Sequence, residues 1–374
     1  MSGAARSGAW RLLSCFVALL LISFAALSAP TADSAGRPQR HVRPRVVGRP
    51  TTQPSPVPAA GAQAGQGVGD DEVVSVDTLE VLLPVTVRDA QGRLVDALAR
   101  EDFRVFEDGR EQPLRDMVLR RAAADVALMV DASSSSAANL DDFRSAVDQF
   151  ASKLAPEDRV CLIKFDDRVE LLLDWTSSRA QLRRALDRLA GGMFTRFHDA
   201  LYLAAKEQFR SPQRRHVAVV LTDGIDNGRG ATTLDGALRQ MLISQVAVYV
   251  ISNTEIQRAK KRAELDSILS GTDASVRFSG LRIEDLKESL RVLDASEQGL
   301  ARLTAATGGR LFVPESFAAL DGVYAEIADE LSRQYALYYS PLNKTRDGGF
   351  RRVRVGVAKP GLQVTARVGY YAPQ

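Results

Sequence analysis

The hydrophobic positions of the chain follow two different patterns. Near both ends of the folded region, alternating apolar residues between glycine-containing turns predict short β-strands, at 79–89, 93–98, 103–109, 333–340, 350–358 and 362–371. Between them, apolar runs alternate with amphipathic helical segments, with strands predicted at 126–130, 160–165, 169–173, 217–221, 246–251 and 311–313. This alternation predicts an α/β fold, a doubly wound and mostly parallel sheet covered by helices on both faces.

The order of these segments predicts one domain inserted into another. The α/β unit spans about residues 122–333, and β segments at 72–121 and 334–374 flank it. Together the flanking segments supply about seven short strands, about the number in an immunoglobulin-like sandwich. We predict that they pair with each other in a small β-sandwich; the alternative is two separate β appendages, each poorly able to bury an apolar face. Strand 169–173 follows its neighbour through a tight connection, which predicts an antiparallel strand at the sheet edge.

The N-terminus has the pattern of a targeting signal. Arg6 and Arg11 precede an apolar run at 12–27, and small residues follow the run. This pattern predicts a signal peptide over residues 1–29. The run is short for a membrane span, so an uncleaved signal anchor is the alternative and the only membrane attachment we expect. Residues 30–71, rich in proline and arginine, predict a disordered linker. The sequence therefore predicts an exported protein, periplasmic or secreted.

Composition narrows the classes of function. The 374 residues are 45% hydrophobic and 25% charged, which is typical of a globular protein. The formal net charge of +3 becomes about +1 when Arg6 and Arg11 leave with the signal peptide (3 − 2), so we expect no nucleic-acid partner. Three histidines and two cysteines leave too few ligands for a zinc cluster of cysteine and histidine. The chain has no Gly-x4-Gly-Lys loop, which argues against nucleotide hydrolysis of that kind.

Two aspartates follow predicted strands of the α/β unit. Asp131 follows the first strand and Asp223 follows the fourth, and ligands bind outside the carboxyl ends of strands in open α/β sheets. Two carboxylates about 4 Å apart, at an effective dielectric of about 20, repel by about 4 kcal/mol. A divalent cation between them would offset this repulsion.

Hydroxyl groups close to these aspartates in the sequence extend the candidate site. Ser133 and Ser135 alternate with Asp131, so their hydroxyls can converge with its carboxylate. Thr195, in a loop before a helix, offers another hydroxyl. Oxygen ligands without histidine or cysteine suit Mg²⁺ first and Mn²⁺ or Ca²⁺ next.

Three short motifs, in this order, resemble those of the von Willebrand factor type A domain with its metal-ion-dependent adhesion site. They are DASSS at 131–135, GGMFT at 191–195 and LTDG at 221–224, and the resemblance covers about residues 122–333. The flanking β segments resemble those of a bacterial exported subgroup that carries this domain.

The resemblance implies a set of metal ligands and an open metal position. Its ligands, some of them through water, would be Asp131, Ser133, Ser135, Thr195 and Asp223. An acidic side chain of a protein partner would complete the metal shell, and affinity would change with small movements of the metal loops and of the last helix, 317–332. Thr195 is aligned across a departure from the family pattern, because Met193 and Phe194 separate it from the two glycines.

Residues around this site also have simpler interpretations. The serines at 133–136 could cap the following helix, although capping does not explain Asp223. Asp199 either accepts a hydrogen bond beside the metal ligands or is a negative charge favoured at a helix N-terminus. Asp226 either orients its loop or a metal-bound water, or belongs to a plain turn. His198 suggests a Ser-His-Asp hydrolase, but the chain has no Gly-x-Ser-x-Gly elbow, and a structural role on the helix surface is the alternative.

We predict an extracytoplasmic protein-binding or adhesion module and not an enzyme. The alternative is a metal-dependent hydrolase in which the same ion activates water, with Asp226 or His198 as the base. Residues 254–296 extend beyond what the family needs. Their charged helical pattern predicts a solvent-exposed helical hairpin, with a partner-binding excursion as the alternative.

Overall fold

The structure is a computed structural model of the chain. It describes residues 80–119, 123–134, 140–211, 213–227, 230–270 and 276–374, the last of these with side chains from residue 280 onward. The predicted signal peptide, the predicted linker and Ser135 lie outside these ranges. All described residues belong to one compact unit, 73–374. Within them, no helix has the length and hydrophobicity that a membrane span requires.

The elements are numbered in chain order. The strands are β1 (Val81–Arg88), β2 (Phe103–Glu107), β3 (Arg110–Gln112), β4 (Leu114–Leu119), β5 (Ala124–Asp131), β6 (Arg159–Phe165), β7 (Val169–Thr176), β8 (Arg215–Thr222), β9 (Val246–Ser252), β10 (Leu311–Phe312), β11 (Tyr335–Tyr339), β12 (Phe350–Val357), β13 (Gln363–Thr365) and β14 (Gly369–Tyr371). The helices are α1 (Leu140–Lys153), α2 (Arg179–Leu186), α3 (Phe197–Leu203), α4 (Leu234–Ile243), α5 (Thr254–Ser270), α6 (Val276–Thr307) and α7 (Leu320–Ser332).

The central sheet, as far as the chain is described, has six strands in the order β10-β9-β8-β5-β6-β7. Neighbouring strands are parallel except β7, which pairs antiparallel with β6 at the edge. Every residue of β5, β8 and β9 is buried, because helices cover both faces and the apolar runs of these strands are nearly continuous. The prediction of a mostly parallel sheet with one antiparallel edge strand is confirmed.

Helices cover both faces of this sheet. On one face, α1, α2 and α7 pack apolar side chains such as Phe143 and Leu182 on the strands. On the other face, α3, α4 and α6 do the same through Phe197, Met241 and Leu303. The fold is therefore doubly wound α/β, as predicted.

Segments from the two ends of the chain pair with each other. In the described residues they form two four-stranded sheets, β13-β1-β11-β4 and β14-β12-β2-β3. Each sheet joins strands from before and after the α/β unit, as β1 pairs antiparallel with β11, and β2 with β12. The two sheets enclose a common core that includes Leu83, Phe103, Tyr335 and Val353. The α/β unit is thus inserted into a small β-sandwich, and the alternative of separate β appendages is wrong.

The predicted strand at 93–98 is absent from the structure. Leu94 makes only an isolated bridge with Arg88. The backbone N–H of Val95 donates to the carbonyl of Val87 on β1 at 2.9 Å, but this pairing does not continue. Farther along, the backbone N–H of Leu98 donates to the hydroxyl of Tyr335 at 3.0 Å, a side chain and not a strand backbone. The alternating pattern here reflects packing against the sandwich and not a strand.

The predicted strand at 362–371 is divided into β13 and β14. Between these two strands, the backbone N–H of Val368 donates to the carbonyl of Ala306 on α6 at 3.0 Å. This bond to a helix interrupts the strand pairing, and periodicity along the chain cannot reveal it.

A buried carboxylate connects the sandwich to the α/β unit. Glu330 on α7 is 1% exposed. Its Oε1 accepts hydrogen bonds from the hydroxyls of Thr86 on β1, at 3.1 Å, and Tyr249 on β9, at 2.9 Å. Arg88 on β1 donates to its Oε2 at 2.5 Å. Because this one side chain of α7 bonds to both β1 and β9, α7 is held by the sandwich and by the central sheet.

The charged segment after β9 forms two packed helices, α5 and α6. Arg258 on α5 is buried and forms ion pairs with Asp294 and Glu297 on α6, at 3.1 and 3.0 Å. The outer part of the pair exposes large apolar side chains, as Leu269 and Leu281 are 63% and 73% exposed. The structure shows the helical hairpin, with the difference that α6 continues past the predicted end at residue 296 and contributes its last turns to the core of the α/β unit.

Candidate metal site

The first loop of the candidate site begins where β5 ends. Asp131 is the last residue of β5 and is fully buried. Its Oδ1 accepts the backbone N–H of Ser133 at 3.0 Å, and its Oδ2 accepts the hydroxyl of Thr222 at 2.8 Å. Ser133 is buried as well, and its side chain also hydrogen-bonds to Asp131. The chain therefore folds back at the strand end and brings a serine hydroxyl beside the carboxylate.

The third loop of the site follows β8, the neighbour of β5. Asp223 is 5% exposed, and its Oδ1 accepts the backbone N–H of Ile225 at 3.0 Å. Gly224 has φ +72°, a left-handed conformation that favours glycine and turns the chain sharply. On the outer side of this turn, the hydroxyl of Ser296 on α6 donates to the carbonyl of Asp223 at 2.5 Å. A Cβ on Gly224 would lie only 2.6 Å from the Ser296 Oγ, so the glycine is needed for this contact.

The two aspartates are close enough to affect each other electrostatically. Burial, and then the charge of Asp223, raise the pKa of Asp131 from 3.8 to about 7. Hydrogen bonds from Ser133 and Thr222 act in the opposite direction, because they stabilise the carboxylate. The strand ends thus hold two buried acidic groups whose charges repel, in a place where a bound cation would stabilise both.

The second loop of the site joins the first through its glycines. The backbone N–H of Gly192 donates to the carbonyl of Ala132 at 2.7 Å, so the two loops are in direct contact. Thr195 is 5% exposed, and its backbone N–H donates to the side-chain oxygen of Asn227 at 2.6 Å. In return, the backbone N–H of Asn227 donates to the carbonyl of Thr195 at 3.1 Å. These reciprocal bonds attach the second loop to the third.

The three motif loops therefore meet at the carboxyl end of the sheet. The structure places four of the five predicted ligands in these contacting, buried segments: Asp131, Ser133, Thr195 and Asp223. The fifth, Ser135, lies outside the described residues. Of the two inserted residues, Met193 is 72% exposed and Phe194 is half-buried.

Asp199 and Asp226, predicted as supporting residues, both bind loop backbone. Oδ1 of Asp199 accepts the N–H groups of Ala231 and Thr232, at 3.2 and 3.0 Å. Oδ2 of Asp226 accepts the N–H of His198, near the start of α3, at 2.9 Å, and lies 3.5 Å from Nδ1 of the same histidine. Both carboxylates thus hold the loops in position around the site.

Sequence reasoning missed two contributors to the site. Thr222 belongs to the LTDG motif but is not among the predicted ligands, although its hydroxyl bonds directly to Asp131. Its place in that motif, next to Asp223, was the available signal. Ser296 lies 73 residues after Asp223, on a helix whose pattern shows only charge and amphipathicity, and no signal in the sequence connects the two.

The donor set fits a hard cation better than a soft one. No group of three or more histidine, cysteine or acidic side chains that could hold a metal occurs in the part of the chain that the structure describes. A metal at the loops would therefore depend on two carboxylates and on hydroxyl oxygens. Such all-oxygen sets suit Mg²⁺, Mn²⁺ or Ca²⁺.

A known protein family matches the segment that contains the three loops. Residues 126–225 match the family model of the von Willebrand factor type A domain. This match covers less than a third of the chain, and it contains all three motif loops. It supports the resemblance to the type A domain, while the metal site and the exported subgroup remain untested predictions. No curated protein sequence matches the chain.

Solved structures show similarity to the fold. Proximal thread matrix protein 1 from the mussel byssus is 17% identical with a TM-score of 0.43, over 60% of this chain and 51% of that chain. Another structure of that protein, described as having a zinc occupied MIDAS motif, is 20% identical with a TM-score of 0.40, over 60% of this chain and 49% of the other. A von Willebrand factor type A structure from Catenulispora acidiphila is 11% identical with a TM-score of 0.43, over 80% of this chain and 75% of that one. The chain thus matches about half the length of the mussel protein.

Proposed function

We propose that the chain is a protein-binding module whose α/β unit holds a divalent cation. Mg²⁺ is the first candidate, with Mn²⁺ or Ca²⁺ next, and the proposed ligands are Asp131, Ser133, Ser135, Thr195 and Asp223. When bound, the cation would supply a positive charge with an open position for an acidic side chain of a protein partner. The match to the type A domain over residues 126–225 supports this proposal.

One observation carries the proposal. Asp131 and Asp223 are buried at the ends of two neighbouring strands, and the charge of the second raises the pKa of the first. Two repelling buried carboxylates lower the stability of the metal-free fold, because neither is well solvated. A cation that interacts with both removes this cost, and hydroxyl oxygens complete a set of hard ligands.

The rim of the site supports access by a partner. Two residues of this rim are exposed: Ser134, which lies between the proposed ligands Ser133 and Ser135, and Met193 in the second loop. The Ser134 hydroxyl lies 3.5 Å from the Met193 carbonyl, so the first and second loops form one continuous edge. A partner carboxylate can approach the site across this edge.

We propose a binding role and no catalytic role. The groups that a hydrolase would use as a base are Asp226 and His198, and the Asp226 carboxylate is already bonded to the His198 backbone and faces its ring. Export, to the periplasm or the cell exterior, is part of the proposal and is based on the N-terminal sequence pattern.

Metal calorimetry and a capture assay test the proposal. After treatment with EDTA, the wild-type chain should bind Mg²⁺ and retain a partner from envelope extract only when Mg²⁺ is present. Asp131→Ala should abolish both, and Asp142→Ala, which changes an exposed aspartate of α1, should abolish neither. A circular dichroism spectrum of each variant controls for the fold. Partner retention that is indifferent to EDTA and to Asp131→Ala would refute the proposal.

A further inference from the structure

A cavity of about 220 Å³ lies at the opposite end of the central sheet from the metal loops. It is found where β1 of the sandwich approaches the start of β8 and the turn between α4 and β9. One part of its lining is apolar, with Leu82, Pro84 and Ile243, and another part carries the arginines Arg215 and Arg367. One carboxylate, that of the exposed Glu80, also lines the cavity, where the arginines outnumber it. The volume equals that of about seven water molecules in the liquid. The cavity therefore combines an apolar wall with a cationic wall and has room for a small organic molecule.

Arg367 contributes a buried positive charge to this cavity. It is 5% exposed, and its Nη2 donates to the carbonyl of Leu82 at 2.8 Å. Its Nε is buried and has no hydrogen-bond partner. Within the described residues, no carboxylate forms an ion pair with it. Burial lowers the pKa of Arg367 to about 10, so the guanidinium still carries its charge at neutral pH.

The fold holds this charge in place from several sides. Arg367 lies between β13 and β14, where the backbone N–H of the next residue, Val368, donates to Ala306 on α6. Gly308 has φ +77°, and a Cβ built on it would lie 2.5 Å from the backbone nitrogen of Arg367. The close approach of these two backbones fixes the backbone of the segment, and the bond from Nη2 to the carbonyl of Leu82 holds the side chain.

A second buried guanidinium reinforces the positive charge of the cavity. Arg215, at the start of β8, is 5% exposed and donates to the carbonyl of Leu331 and to the side-chain oxygen of Gln334, at 2.8 and 3.1 Å. Burial lowers its pKa as well. The adjacent Arg214 is paired with the buried carboxylate of Asp125.

We propose that this cavity binds a small organic oxyanion, a carboxylate or a phosphate ester with a short apolar body. The anionic end accepts a hydrogen bond from the buried guanidinium of Arg367, and the apolar body packs against Leu82, Pro84 and Ile243. A buried arginine without an ionic partner is stabilised by a nearby negative charge. Water can accept its hydrogen bonds but cannot supply that charge. None of the proposed metal ligands lines this cavity, so the inference stands independently of the metal site.

Calorimetry of the full chain at pH 7 tests this inference with three probes. Hexanoate carries both a carboxylate and an apolar chain, hexanamide is its uncharged counterpart, and inorganic phosphate carries charge alone. We expect hexanoate to bind at least tenfold more tightly than hexanamide. If phosphate displaces hexanoate, the site binds oxyanions in general. If hexanoate binds and phosphate does not displace it, the site is specific for carboxylates. If only phosphate binds, the site is specific for phosphates.

Three variants locate the binding. Arg367→Gln should weaken binding of the anion at least tenfold. Ile243→Trp fills the cavity and leaves the buried arginine unchanged, so it should abolish binding. Because Ile243 is already 38% exposed, this variant tests the inference even where Arg367→Gln fails to fold. Arg262→Gln, at a side chain 60% exposed on α5, is the matched control and should leave the affinity unchanged. Equal binding of hexanoate and hexanamide, wild-type affinity in Ile243→Trp, or no binding of either anion to the wild type would overturn the inference.

Discussion

The two ends of the central sheet present opposite electrostatic situations. At the carboxyl end, Asp131 and Asp223 are buried, and the pKa of Asp131 is raised to about 7. At the amino end, Arg367 is buried, and its pKa is lowered to about 10. In both places the fold holds a charge away from water, and the sign of that charge indicates the complementary ligand. The comparison leads us to expect a cation at one end and an anion at the other.

The two ends also differ in how their residues are distributed along the chain. The acidic site is formed by short motifs that directly follow strands, so its members are recognisable in the sequence. The cationic cavity combines residues from β1, β8, the end of α4 and the connection from β13 to β14. Sites of the first kind can be proposed from motifs, whereas sites of the second kind become visible only when the fold is known.

The largest expected effect tests whether the two ends are independent. Glu330→Ala removes the carboxylate that holds α7 to β1 and β9, and it leaves the mostly buried Arg88 without this partner. We expect the free energy of unfolding to fall by about 3–5 kcal/mol, measured by urea denaturation. Glu326→Ala, at a carboxylate 43% exposed, should cost less than about 1 kcal/mol. A tenfold change in Mg²⁺ or hexanoate affinity in folded Glu330→Ala would show that the ends are coupled through α7.

The next effect concerns the acidic end alone. Asp131→Asn removes one of the two repelling charges at nearly constant volume, so at pH 8 the metal-free variant should be more stable than the metal-free wild type, by about 4 kcal/mol. Its Mg²⁺ affinity should fall by about a hundredfold or more, since a ligand charge is lost. Thermal unfolding with and without Mg²⁺ measures both effects. Hexanoate affinity should not change, and a parallel loss of it would contradict the independence of the two ends.

A pH series tests the electrostatic basis of the acidic end. Because folding raises the pKa of Asp131 from 3.8 to about 7, the folded state binds the extra proton between these values, and stability of the metal-free chain falls as pH rises from about 4 to 7. Bound Mg²⁺ stabilises the carboxylate form and cancels this decline. The increase in melting temperature caused by Mg²⁺ should therefore be larger at pH 8 than at pH 5. An increase that is the same at both values would argue against a cation at Asp131.

The smallest effect concerns the contact between α6 and the third loop. Ser296→Ala removes the hydroxyl that donates to the carbonyl of Asp223 at 2.5 Å. We expect Mg²⁺ affinity to fall about three- to tenfold, which corresponds to the loss of one hydrogen bond, of about 1 kcal/mol. Ser332→Ala, at an exposed serine of α7 whose hydroxyl bonds only within its own helix turn, is the control. Unchanged affinity in Ser296→Ala would show that the loop keeps its position without α6.

Much of the fold was predictable because it depends on local patterns. The continuous apolar runs of β5, β8 and β9 predicted strands buried on both faces, and the tight connection before β7 predicted the antiparallel edge strand. The candidate site was partly predictable for a related reason. In parallel sheets, residues that follow neighbouring strands lie at the same edge, so Asp131 and Asp223 could be placed together without coordinates.

Other features were not predictable, because they depend on contacts between residues far apart in sequence. The segment 93–98 has an alternating pattern, but its Leu98 N–H bonds to the hydroxyl of Tyr335 and not to a strand. Glu330 resembles any other acidic residue of an amphipathic helix until the fold surrounds it with Thr86, Arg88 and Tyr249.

The periodicity of each element, the alternation that produces a parallel sheet, and the residues that follow each strand are all readable from the amino-acid sequence. These properties are local, since they arise from backbone geometry and from the burial of nearby side chains. The burial of particular polar side chains, and their ionic partners, depend instead on the complete fold. Burial and pairing result from contacts across the whole chain, and for that reason the arginine at position 367 acquired its significance only when the sandwich closed on the α/β unit.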